Sequence, residues 1–147
     1  MPKAKRDKAY RPKHIHVPVM PDLQEEFMFA SHASLATLRL APTTDAFDQL
    51  ADFFNVVSVA LQDTGGTSVI LYSGMRALQD VCDRAESYGQ IQIRPLELLP
   101  ISNAVIECES LVKQLDVMRL HHARIKTLRA ARIARAIQSH NKTLELA

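Results

Sequence analysis

Lys3, Lys5, Arg6, Lys8, Arg11 and Lys13 crowd the first thirteen residues, and Arg119, Arg124, Lys126, Arg129, Arg132 and Arg135 recur through residues 119–135. Side chains of this type at this density suit the capture of polyanions. Each cation that meets a phosphate displaces a condensed counterion, and arginine adds a bidentate hydrogen-bonding fork. Tyr10, set among the cations of the first group, offers a ring on which an exposed base can stack. The remainder of the chain has the opposite sign. Residues 14–112 hold thirteen Asp/Glu against four Arg and no Lys, net −9, whereas residues 1–13 are net +5 and residues 113–147 net +6. The overall charge of +2 therefore conceals an acidic middle between two basic ends, a pattern that concerns partners more than fold.

Three readings fit the basic ends: contact with nucleic acid, contact with an acidic protein surface (the chain's own or another's), and simple solvation of a charged helix. No zinc-finger spacing, RNA-recognition signature or helix-turn-helix accompanies them, so base reading is not indicated. The leading expectation is a non-enzymatic protein associated with nucleic acid or a ribonucleoprotein through phosphate contacts. The alternative is a protein–protein module, an adaptor or inhibitor of a larger machine.

Other reactive side chains form weaker patterns. His14 and His16 alternate, which on a strand would point both rings to one side as two metal ligands, but no third or fourth ligand is evident. His121 and His122 are adjacent on a helix, where their side chains diverge by about 100°. His32 and His140 are isolated. Bundle-type metal chemistry needs Glu-x-x-His pairs on facing helices, and the chain has none. Asp45, Asp48 and Asp52 share one helical face, as do Asp80, Asp83 and Glu86. Both rows read as solvated surface, with Asp52 able to pair with Arg76 or Arg84 across helices. Asp63-Thr-Gly-Gly-Thr-Ser68 resembles a phosphate loop only superficially, since it lacks the Walker lysine and a preceding strand; it reads as a connection between helices. Cys82 and Cys108 fall on apolar helical faces without a polar catalytic neighbour, and no Gly-x-Ser-x-Gly occurs. No catalytic residue, metal or cofactor is expected.

These groups need elements to hold them. A chain of 147 residues, 47% apolar, 5% aromatic and with four glycines, favours helices packed by aliphatic side chains. Pro21, with Asp22, Glu25 and Glu26 behind it, opens a helix with Leu23, Phe27, Ala30, Ser34 and Leu38 on one side, ending before Pro42. Thr44 or Asp45 caps a second, striped by Phe47, Leu50, Phe54, Val57 and Leu61 and stopped at Gly65-Gly66. Ser68 opens a third carrying Leu71, Met75, Leu78, Cys82 and Ala85, with Ser73-Gly74 as a close-packing notch and Gly89 as its stop. Pro100 begins the fourth, with Ile101, Ala104, Cys108, Leu111, Leu115 and Met118 facing inward. Short alternating runs at residues 14–19 and 90–94 read as strands that could pair with each other, Pro18 confining the first to an edge.

The last helix carries a second seam of Leu120, Ala123, Thr127, Ala130, Ala134 and Ile137, rotated from the first by roughly 60–80° at 100° per residue. The helix therefore kinks near Met118–Leu120, or its C-terminal half contacts something other than the core, such as the same helix of a second subunit. The architecture expected is all-α: a four-helix bundle with a long C-terminal helix and one small two-stranded pairing of residues 14–19 with 90–94. Residues 1–19 would be a basic arm, 20–118 the bundle, and 119–147 a basic helical extension. The chain shows no apolar leader and no run of about 20 apolar residues to span a membrane, which predicts a cytoplasmic protein.

Overall fold

The computed structural model describes residues 16–146, which form five helices. Helix α1 spans Pro21–Leu40, α2 Thr44–Asp63, α3 Val69–Tyr88, α4 Pro95–Gln114 and α5 Val117–Glu145. Helix α2 is the centre, touching each of the other four. Leu50, Phe54, Val57 and Ala60 on it are completely buried. This follows from a sequence apolar on more than one side, with Phe53 and Val56 also buried.

Local chemistry sets most boundaries. Pro21 occupies the first turn of α1. Thr43, one residue before the expected cap, accepts the Ala46 N–H at 3.2 Å and starts α2. Ser68 does the same for α3 by accepting from Leu71 N at 3.2 Å, and Gly89, at φ 75°, ends it. Pairing of α3 with α4 is the most extensive helix contact in the chain. It depends on Gly74, as the Ser73-Gly74 notch predicts: a Cβ there would overlap Ala104 Cβ and reach 3.0 Å from the Pro100 carbonyl oxygen.

The last two expected elements differ from expectation. Helix α4 begins at Pro95, with Glu97 Oε2 accepting the Arg94 N–H at 3.1 Å, and Pro100 lies inside it. It stops at Gln114. Leu115 is extended (φ −80°, ψ 149°), and α5 starts anew at Val117. The seam rotation thus marks a break at Leu115–Asp116, slightly before Met118–Leu120, and Met118 is 47% exposed instead of facing inward. The N-terminal segment, residues 16–20, meets the chain at this break. Asp116, 2% exposed, accepts Val17 N–H at 2.8 Å, while Val117 N–H donates to Val17 O at 2.8 Å. Helix α5 has no side-chain cap.

The pairing of residues 14–19 with 90–94 is not formed. Pro18 instead bridges Asp116, His14 and Ile15 lie outside the described residues, and residues 90–94 connect α3 to α4 without strand structure. Alternation there serves a different purpose: Ile91 and Ile93 pack against the core from an extended connection. Arg84 closes this corner. It donates to Glu97 Oε1 at 2.5 Å and Oε2 at 2.7 Å, and to the Gln92 carbonyl at 2.8 Å. Asp52 is therefore not the partner of Arg84.

The Arg84 hydrogen bond holds the Glu97 carboxyl below its ordinary range. A lowered folded-state value means that the stabilisation is complete above the usual glutamate range and is lost as pH falls through that lowered value. Glu97→Gln is accordingly expected to reduce the urea midpoint at pH 7 and to have much less effect at pH 3. An equal loss at both pH values would show that the charge of the pair contributes nothing.

Candidate functional site

Helix α5 runs back along α2. Near its start Arg119 donates to the Asp63 carbonyl oxygen at 2.6 Å, and Lys126 Nζ lies 3.1 Å from both Asp63 carboxylate oxygens. Further along, Arg135 faces Asp52 electrostatically. Leu120 and Ala123 are buried in the core, Thr127 and Ala131 are half-buried, and every residue from Arg132 to Leu146 is exposed. The seam thus divides: Leu120 and Ala123 are used within the chain, whereas Ala130, Ala134 and Ile137 face outward.

Among the described residues, Arg124, Arg129, Arg132 and Arg135 make no hydrogen bond or ion pair with a carboxylate. Lys126 is the α5 cation that does. The other expected phosphate ligands, Lys3, Lys5, Arg6, Lys8, Tyr10, Arg11 and Lys13, lie outside the described residues. Val17, near the start of the described residues, is fastened at the start of α5.

A trough of about 710 Å³ opens beside this helix. Helices α1 and α5 both pack on α2, yet no Cα of one lies within 8 Å of the other among the described residues. The floor is Phe53, Val56, Gln49 and Asp52 of α2; α1 contributes Leu23, Glu26, Phe27 and Ala30; α5 contributes Arg124, Leu128, Ala131, Arg132 and Arg135. Phe27 and Phe53 meet with ring centroids 5.7 Å apart. Burial and the neighbouring Asp48 raise the Asp52 pKa, and Arg135 opposes the rise. Sequence reasoning assigned Leu23, Phe27 and Ala30 to the core side of α1. They do form its apolar stripe, but the stripe borders an open trough because α5 lies too far away to cover it.

No protein-family model, curated protein or solved structure matches the chain.

The remaining reactive groups are dispersed. His32 pairs with Glu109 across α1 and α4. His16 is exposed, and the rings of His121 and His122 are 6.3 Å apart. Among the described residues no three His, Cys, Asp or Glu side chains gather as a metal site. Burial pushes the Cys108 thiol up to about 12, and burial with nearby carboxylates also raises Cys82, so both thiols stay protonated at neutral pH. Asp63–Ser68 is the α2–α3 connection, and Ser68 Oγ, besides capping α3, donates to Glu107 Oε1 at 3.2 Å. No helix among the described residues is long and apolar enough to cross a membrane.

Proposed function

We propose that this protein is a non-enzymatic binding protein that associates with nucleic acid or a ribonucleoprotein, gripping phosphates without reading bases. One observation carries the reading: among the described residues, Arg124, Arg129 and Arg132 on α5 make no ion pair with a carboxylate, and Arg135 reaches Asp52 only at longer range, although the rest of the chain is rich in carboxylates. Cations meant only to brace the bundle would be used as Lys126 is, against Asp63. The +5 segment of residues 1–13 supplies further cations of the same kind.

Filter binding of labelled DNA and RNA oligonucleotides over a salt titration tests the proposal. Log affinity should fall linearly with log salt, with a slope of about −0.9 per duplex phosphate contacted or −0.7 on single strands. An affinity that hardly changes between low and moderate salt would defeat it.

The open trough favours a second reading, a protein–protein module. Its self-associating version would pair Ala130, Ala134 and Ile137 of two copies, and a monomer mass in light scattering would remove that version.

A further inference from the structure

We infer that the trough between α1 and α5 seats an amphipathic helix of a partner protein, apolar side down on Phe27 and Leu128, with an acidic flank toward Arg132 and Arg135. The inference specifies the second reading above and does not depend on nucleic-acid binding.

Shape supports a helix. The trough walls extend from Leu23 to Ser34 and from Arg124 to Arg135, about 16 Å or three helical turns at 1.5 Å per residue. Both walls and the floor are helices, so a further helix would pack in the manner of the existing ones, with anchors at i, i+3 or i+4, and i+7.

Burial shows what is missing. Helix α1 carries a stripe spaced for a core, yet Leu23 is 36% exposed, and Leu128 on the opposite wall is 50% exposed. A cover over the trough would complete both. Charge then selects the cover: the α5 wall presents three arginines, whereas Glu26 and Asp52 lie on the α1 wall and the floor. A helix with Asp or Glu on the α5 side finds complementary charge. The chain's own first thirteen residues, with six Lys/Arg against one Asp, would be repelled by that wall.

The test is panning of a display library of 15-residue helices, randomised at apolar and charged positions, against the nuclease-treated full chain. Enriched clones should carry an apolar stripe and Asp/Glu on one flank. Their affinity should drop at least tenfold on Ala131→Trp, which fills the trough, and on the exposed pair Arg132→Glu/Arg135→Glu, with helical content by circular dichroism unchanged. No enrichment, or enrichment of basic or uncharged clones, overturns the inference. Clones that bind but ignore Ala131→Trp overturn the trough while leaving a protein-binding module in place. A doubled mass of the free chain that Ala131→Trp returns to monomer would assign the trough to a second copy and overturn the foreign partner.

Discussion

Gly74→Val should destabilise the protein by about 3 kcal/mol, the upper part of the range for overpacking a tightly filled interior. Helices α3 and α4 approach most closely where Gly74 meets Ala104 and the Pro100 carbonyl. Neither obstacle is the end of a flexible side chain; one is a Cβ and the other backbone, so relief requires one helix to move. Such a shift would loosen the core that holds Leu71 and Leu78 of α3 and Ile101 and Cys108 of α4, all buried. Gly74→Ala should cost less. It gains helix propensity of about 1 kcal/mol while still placing one methyl group into Ala104. Combining it with Ala104→Gly should recover part of the loss, a coupling expected only of residues in contact. Urea unfolding followed by circular dichroism reads all three. A Gly74→Val protein with the parent's midpoint would mean that α3 and α4 do not approach as described.

Arg129→Glu/Arg132→Glu/Arg135→Glu should leave the fold intact and weaken nucleic-acid binding on the order of a hundredfold at 0.1 M salt, with the log–log salt slope shallower by roughly three. All three residues are exposed and make no ion pair among the described residues, Arg135 facing Asp52 only at longer range, so the change in stability should stay within about 1 kcal/mol. Lys126→Glu is the informative contrast. Lys126 is already held by Asp63, so reversing it should disturb α5 docking on α2 more than phosphate contact. An unchanged salt slope in the triple variant would place any polyanion contact elsewhere than on α5.

Legibility tracked how local each signal was. Pro21, Ser68 and Gly89 act through their own backbone torsions and nearest amides, and all three do in the structure what their residue types predict. The Gln90–Arg94 alternation misled because an apolar side chain every second residue is equally served by a strand and by an extended connection that lays Ile91 and Ile93 on a core. Pro100 misled because a second proline five residues earlier also suits a first turn, and the Arg94–Glu97 hydrogen bond favours the earlier start.

What the chain determined by itself was its helical class, the apolar stripes, the places where three of the five helices begin or end, and the segregation of charge, because each depends on spacing along a single helix or on composition. Tertiary structure decided the rest. Asp116 is ninety-nine residues from Val17, and no pattern within α4 or α5 announces that the N-terminal segment meets the chain at their break. The trough likewise exists only because two helices share α2 as a support without touching each other. Periodicity states that a face is apolar; which neighbour covers it, or fails to, depends on the packing angles of helices distant in sequence.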